Sequence, residues 1–253
     1  MLEFPLKVAT WNVNGLRARV SQLLEWLETE RPDVLCLQEI RVSPDQIPMD
    51  LCELQGFSCC WHGGEKGYSG VGLHVSRRLG TPVFSHPAFD YENRIVAADL
   101  DRLSLLSVYV PNGGKDFPAK MRFLEALETH LAALVSAGRG VILCGDLNIA
   151  RQDMDVHPKE RKKMPVVGYL PEERQLLERI LSHGFVDVQR ALAPDDDQLF
   201  TWWAPWRNLR QRNIGWRIDY VLASHDLARR AVTCVSQREV GTSDHGPVVA
   251  VFG

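Results

Sequence analysis

Apolar residues recur along this chain in short runs that end on an acid or an amide. Val141-Ile142-Leu143-Cys144 is four apolar residues in a row, the pattern of a strand buried on both faces, and Gly145-Asp146-Leu147-Asn148 follows where such a strand leaves the core. Val8-Ala9-Thr10-Trp11-Asn12 ends on an amide and Val34-Leu35-Cys36-Leu37-Gln38-Glu39 on a carboxylate. Ile218-Asp219-Tyr220-Val221 sets an acid inside a β-rich segment, and Ser243-Asp244-His245-Gly246 precedes the closing apolar run at 247–252. Five strand ends are therefore expected to converge on one polar site, with side chains held rigidly from behind.

The same pattern orders the rest of the chain. A strand over 7–12 is followed by Val20, Leu23, Leu24 and Leu27 at helical spacing, and Pro32-Asp33 ends that helix before the strand at Val34. Strand, helix and strand in so short a span predict two neighbouring strands of one sheet. Runs at 57–61, 71–75, 82–85, 95–100 and 103–110 carry no helical period between them and predict a β meander. Helical spacing returns over 119–137 through Leu124, Leu127, Leu131, Leu134 and Val135, ended by Gly138 and Gly140. It returns again after Pro171-Glu172-Glu173, where Leu176, Leu177, Ile180 and Leu181 form the inner face. Strands are predicted at 199–203, 216–222, 231–235 and 247–252. No linker, low-complexity tract or repeat interrupts this cadence. The predicted fold is α/β, two β-sheets packed face to face with helices on the outer faces, residues 1–253 forming one domain.

Composition narrows the partners. The chain of 253 residues is 45% hydrophobic and 24% charged, an ordinary globular balance, and its formal charge of -3 means that a nucleic acid would have to be met by a local basic patch. Six cysteines (Cys36, Cys52, Cys59, Cys60, Cys144, Cys234) show no paired metal-ligand spacing and suit a reducing compartment. No apolar run approaches the roughly 18 residues of a membrane span, and the start lacks a charged segment followed by an apolar one. The expectation is an unprocessed cytoplasmic protein with no membrane contact.

Glu39, Asp146, Asp219 and Asp244, with Asn12, Asn14, Asn148 and His245, make an oxygen-rich set with one imidazole. Such donors suit Mg²⁺ or Mn²⁺ and suit zinc poorly. A hard cation, a carboxylate base and amide or imidazole donors together equip a site to attack a phosphodiester. Each short motif alone reads as well as a polar turn; what argues against chance is their repetition at so many strand ends. From 201 to 217, Trp202, Trp203, Trp206 and Trp216 alternate with Arg207, Arg210, Arg212 and Arg217, a mixture of stacking surfaces and phosphate-binding groups. Trp203 reads as a core residue beneath that loop. Arg94, Lys115 and the loop of Lys159, Arg161, Lys162 and Lys163 are further candidate phosphate contacts, although such a loop equally suits plain solvation. Binding through phosphates predicts strong salt dependence and little reading of base sequence.

Trp11-Asn12-Val13-Asn14-Gly15-Leu16-Arg17, Leu37-Gln38-Glu39, Tyr109-Val110-Pro111-Asn112, Gly145-Asp146-Leu147-Asn148, Gly215-Trp216-Arg217-Ile218-Asp219-Tyr220 and Ser243-Asp244-His245-Gly246-Pro247 resemble, in order, the signature blocks of the exonuclease III family of apurinic/apyrimidinic endonucleases. The resemblance runs from about Lys7 to Val251. It implies a four-layer α/β sandwich of the deoxyribonuclease-I-like superfamily. It implies that Glu39 is the principal metal ligand with Asn14 near it, and that Asp146 aligns or deprotonates the attacking water, helped by Asn148. His245 would bind the scissile phosphate, oriented by Asp219; Asp244 would tune the metal or leaving-group side. Asn12 would support the site, and Tyr109 would contact phosphate or assist the leaving oxygen. The metal side of the site would thus draw on Glu39, Asn14, Asp146, Asn148, Asp244 and His245. Trp202, Trp216 and Ile218 match the family's pocket for a flipped-out, base-less sugar, with Arg94, Asn112, Lys115, Asn208 and Arg210 as expected DNA contacts. Asn14 stands where some relatives carry Asp, which leaves the number of metals open.

The implied activity is that of a Mg²⁺-dependent, monomeric DNA repair phosphodiesterase, with Mn²⁺ as a substitute. It would cut double-stranded DNA 5′ to abasic sites, leaving a 3′-hydroxyl, and trim blocked 3′ ends. Three alternatives stand beside it: a paralogue dominated by 3′-5′ exonuclease activity, a phosphoinositide or lipid phosphodiesterase of the same superfamily, and a non-catalytic binding relative. The second would have no use for the Trp/Arg segment, and the third would have been free to lose the acids that this chain retains.

Overall fold

The computed structural model describes residues 4–64, 67–161 and 165–253. In chain order its first half contains β1 (Leu6–Asn12), α1 (Val20–Glu30), β2 (Val34–Gln38), α2 (Met49–Cys52), β3 (Phe57–His62), β4 (Val71–Ser76), β5 (Val83–Ser85), β6 (Ile95–Leu100) and β7 (Leu103–Tyr109). There follow α3 (Phe117–Ser136), β8 (Gly140–Asp146), α4 (Pro158–Arg161), α5 (Pro171–Ser182), β9 (Phe185–Asp187), α6 (Val188–Leu192), β10 (Asp219–Ser224), α7 (His225–Ala228), β11 (Ala231–Ser236) and β12 (Val248–Phe252). One sheet runs β11-β12-β1-β2-β4-β3 and the other β5-β6-β7-β8-β10-β9.

The continuous apolar runs arise because alternate residues of each central strand face different cores. Leu6 and Val8 of β1 and Val34 and Cys36 of β2 point into the space between the sheets, where Ile142 and Cys144 of β8 and Val221 and Ala223 of β10 meet them. The intervening Ala9, Trp11, Leu35 and Leu37 pack outward on Leu23, Trp26 and Leu27 of α1. On the other side, Val141 and Leu143 of β8 pack outward on Phe123, Leu124, Leu127 and Leu131 of α3 and on Leu176, Leu177 and Ile180 of α5. One inner core and two outer ones give helix, sheet, sheet, helix, the expected four layers. Each fully buried Leu, Val or Ile contributes about 1.5–3 kcal/mol, so all three cores add to stability.

Local signals place the helix ends. Arg31, left-handed at φ 49°, closes α1 by donating its N–H to the Leu27 carbonyl. Asp116 caps α3 through the Ala119 N–H at 2.9 Å. The connection through α1 makes β1 and β2 parallel neighbours, Thr10 opposite Cys36, as predicted.

Three expectations on strands are corrected. The predicted meander is divided between the sheets: β3 pairs with β4 in one, while β5, β6 and β7 form a meander in the other. Segment 199–203 is no strand; Trp202 makes only single bridges, to Trp216 and to His245, because it ties loops together across the rim of the sandwich. For the same reason β10 begins at Asp219, with Trp216 left in the loop. The short β9, α2, α4, α6 and α7 hold too few residues to show a period. Among the described residues no helix is long and apolar enough to cross a membrane.

Candidate active site

Both sheets present their polar ends on one rim. The parallel pair β1 and β2 delivers Asn12 and, one residue past its strand, Glu39; the antiparallel β12 starts at the same end, so His245 just before it lies beside them. In the second sheet, Tyr109 ends β7, Asp146 ends β8, and Asp219 starts β10 directly opposite Asp146 in the register. Gly145 lets β7 and β8 close up behind Asp146, for a β-carbon there would sit 1.8 Å from the Val108 carbonyl oxygen.

Asn12 joins the two sheets chemically. Its amide donates to Glu39 Oε1 at 3.0 Å and to Asp146 Oδ2 at 2.9 Å, so one buried carboxamide orients both carboxylates. Glu39 also accepts from the Tyr109 hydroxyl at 2.8 Å and forms an ion pair with Arg41. Burial alone would raise the Glu39 pKa, but the Asn12 hydrogen bond, His245 and Arg41 outweigh it and hold the carboxyl below its ordinary range. Asp146 goes the other way: burial first, then the neighbouring charges of Asp219 and Glu39, push it up to about 7. It is gripped by Asn148, whose backbone N–H reaches Oδ1 at 2.8 Å and whose amide reaches Oδ2 at 3.2 Å.

His245 forms the cationic side of the site. Its Nδ1 lies 2.9 Å from Asp219 Oδ2, which also accepts from Thr201 Oγ1 at 2.6 Å, while its Nε2 faces Asp146 at 3.9 Å. Burial alone would lower the His245 pKa; the Asp219 carboxylate, by charge and hydrogen bond, overrides it and lifts the imidazolium to about 10. Ligating atoms of Glu39, Asp146 and His245 all lie within 4.8 Å of one another. With two carboxylates in that set, a third buried carboxylate oxygen (Asp219 Oδ1) without a partner and no thiol nearby, the donors fit a hard divalent cation.

Other expected residues fall around this centre. Asn14 and Asp244 pair with each other at 2.6 Å, and the second oxygen of Asp244 accepts from Trp202 Nε1 at 2.9 Å, so Asp244 stands beside the cluster and not in it. Asn148 has its carboxamide occupied by Asp146, the Val110 carbonyl and Asn112, an orienting arrangement. Half-buried Trp202 and Trp216 meet edge to face at 6.3 Å over buried Ile218, with Tyr169 extending the wall. A cavity of about 370 Å³ opens on the Asp244 side, with Asn208 and Arg210 in its lining.

Three arginines expected at DNA are committed to contacts within the protein. Arg94 is only 1% exposed: its guanidinium binds Glu92 and the Tyr68 hydroxyl and stacks over the Tyr109 ring at 4.7 Å. Arg217 is fully buried between Asp155 and Asp187, bidentate to each. Arg210 donates to the carbonyls of Arg238, Val240 and Ser243 and lies over Trp203. All three brace the loops, since an internal partner already holds each guanidinium. Trp203 is a core residue, 1% exposed. Lys115, Asn112 and Lys159 are exposed; Lys162 and Lys163 lie outside the described residues.

Lys120 was not predicted. It is fully buried, paired with Glu173 at 2.5 Å, and donates to the carbonyl of Asn148 at 2.7 Å, fixing that residue's left-handed backbone (φ 52°). Its signal was a cation on the apolar stripe of α3, at helical spacing with Phe123, Leu124 and Leu127. Thr201 and the Asp155–Arg217–Asp187 network carried no such signal.

Comparison with known proteins agrees with this geometry. The chain is 34% identical to Recombination repair protein 1 of Drosophila melanogaster over 99% of its own length, spanning 37% of that protein. It is 34% identical to the exodeoxyribonuclease of Bacillus subtilis, covering 98% of this chain and 99% of that one. The solved structure of an AP endonuclease from Archaeoglobus fulgidus superposes with a TM-score of 0.87 at 32% identity over 98% of this chain and 99% of the other. The 3′ phosphatase NExo from Neisseria, bound to a product DNA hairpin, does so with a TM-score of 0.89 at 30% identity over the same shares. Residues 9–245 match the Endonuclease/Exonuclease/phosphatase family, spanning both sheets and every residue of the cluster, and the chain belongs to that family.

Proposed function

We propose that this chain is a Mg²⁺-dependent DNA repair phosphodiesterase, with Mn²⁺ as a substitute, that acts as a monomer on double-stranded DNA. Its principal reaction is hydrolysis 5′ to an abasic site to leave a 3′-hydroxyl, with trimming of blocked 3′ ends at the same centre, and residues 1–253 act as one domain. The observation that carries this reading is the juxtaposition of Glu39, Asp146 and His245, within 4.8 Å, with a half-exposed aromatic wall of Trp202 and Trp216 next door. The DNA substrates of the relatives named above support the choice of polymer.

Glu39, with Asn14 nearby, would hold the cation, which when bound supplies charge neutralisation and polarisation of a phosphoryl oxygen. The chain's own residues do the rest. Asp146, oriented by Asn12 and Asn148 and titrating near neutrality, aligns a water and takes its proton. His245, kept cationic by Asp219, binds a non-bridging phosphate oxygen and stabilises the charge that grows there. The new bond joins the water oxygen to phosphorus; the bond to the 3′ oxygen breaks, that oxygen takes a proton from solvent water to become the hydroxyl, and Asp146 returns its proton to solvent. Tyr109, fixed to Glu39 and backed by Arg94, faces the same centre.

Selection of the abasic site rests on the wall of Trp202, Trp216 and Ile218. A flat apolar slot accepts a bare sugar and rejects a nucleotide with its base, and a sugar with no base is already unpaired. The test compares duplexes bearing one abasic analogue, an undamaged sequence or a 3′-phosphate end, in Mg²⁺ and in chelator. We expect chelator to abolish every activity, and Trp216→Ala to lower kcat/KM on the abasic duplex about 10- to 100-fold while 3′-phosphate removal falls less. Uniform loss on all substrates would refute the assignment of the slot to the abasic sugar. Removal of the 3′-phosphate alone, without abasic cleavage, would favour a 3′-end enzyme like the Neisseria neighbour.

A further inference from the structure

A second group of metal-ligating side chains lies apart from the active-site cluster. His62 ends β3 in one sheet, His86 follows β5 in the other, and Asp90 comes from the loop that leads into β6. His62 Nδ1 is 3.0 Å from Asp90 Oδ2, and the Nδ1 atoms of His62 and His86 lie 3.3 and 3.0 Å from a single acceptor, the Ile95 carbonyl oxygen. The two imidazoles face each other with ring centres 3.8 Å apart. Ligating atoms of all three side chains lie within 4.8 Å of one another. Two imidazole nitrogens, a carboxylate and a carbonyl thus point at one place where the sheets' edges meet.

We propose that His62, His86 and Asp90 form a binding site for a transition-metal ion of the Zn²⁺ class, separate from the hard-cation centre at Glu39 and Asp146. Imidazole nitrogens suit Zn²⁺, Co²⁺ or Ni²⁺ and are poor ligands for Mg²⁺, so the two sites discriminate by donor type. Asp90 is already oriented as a ligand: its side chain is 3% exposed, with Oδ1 accepting the Arg94 N–H at 3.0 Å and Oδ2 the Ile95 N–H at 3.3 Å. An ion here would bond to both imidazoles, whose Nδ1 atoms already meet at the Ile95 carbonyl. It would also tie β3 to the 90–95 segment. That segment carries Arg94, whose guanidinium lies on the Tyr109 ring, and Tyr109 donates to Glu39. The site thus lies behind the support of the catalytic carboxylate and supplies no group to it.

The assignment is independent of the proposed substrate, and metal binding reads it directly. The chelator-treated 253-residue chain would be titrated with Zn²⁺ by calorimetry and with Co²⁺ by visible absorption, both in saturating Mg²⁺. Wild type and Glu39→Gln are each expected to take up one equivalent with the absorption of a nitrogen-ligated Co²⁺ ion. His86→Ala, at an exposed position, is expected to weaken that uptake at least tenfold while leaving Mg²⁺-supported DNA cleavage intact. His62→Ala should behave as His86→Ala does. Unchanged Zn²⁺ affinity in both His variants, or uptake lost in Glu39→Gln but retained in His86→Ala, would overturn the site.

Discussion

Replacing Asp146 with Asn is expected to lower the rate of phosphodiester cleavage by about 10³-fold, the usual contribution of a general base, while DNA binding changes only a few-fold. The substitution keeps the shape and one acceptor oxygen but removes the group that takes the proton from water. Burial, Asp219 and Glu39 raise this carboxyl to about 7, which makes it a stronger base than a surface aspartate and still mostly ionised just above neutrality. Single-turnover cleavage on an abasic duplex, with binding measured separately by anisotropy, separates the two effects. A variant within tenfold of wild type would remove Asp146 from the mechanism. A variant that loses binding to the same extent as rate would make it a ligand for the phosphate or its cation and not a base.

Asp219→Asn is expected to act almost as severely but through His245, and to leave a signature in pH. Asp219 accepts from the imidazole Nδ1 at 2.9 Å and lifts the imidazolium to about 10. Because the folded-state value lies above the unfolded one, the cation's contribution to stability is complete below about 6.5 and disappears as pH rises through about 10. In the amide variant the imidazole returns towards its ordinary value near 6.5 and loses its charge around neutrality. Activity should fall about 10³- to 10⁴-fold at pH 8, comparable to the loss of the histidine-orienting carboxylate in a serine-protease triad, and recover part of that loss at about pH 6. Wild type should show no descending limb from His245 across that interval. A variant with the pH profile of wild type would mean that His245 does not work as a cation.

The sequence pattern revealed more of the site than of the loops around it. Asn12, Glu39, Asp146, Asp219 and His245 were legible because each sits where an apolar strand stops or starts, and strand ends of two stacked sheets share a rim. The division of the 57–110 strands between sheets was not legible, since local alternation tells which face of a strand is apolar and says nothing of its partner. Arg94, Arg210 and Arg217 read as phosphate contacts, yet their partners are Tyr109, the carbonyls of 238–243, and Asp155 and Asp187, all distant along the chain. Lys120 shows the reverse case: a cation on an apolar helical stripe is the mark of a buried acidic partner, here Glu173, and the periodicity of α3 alone carries that mark.

The central claim is that the two sheets deliver Glu39, Asp146 and His245 to one point where a cation and a backbone phosphate meet. A crystal structure of the protein with an abasic duplex and Mn²⁺, whose anomalous scattering locates the metal, tests it most directly. Mn²⁺ is expected coordinated directly by a Glu39 oxygen, with His245 on the phosphate 5′ to the abasic sugar and that sugar against Trp216. DNA seated on another face, or Mn²⁺ bound away from Glu39, would contradict it.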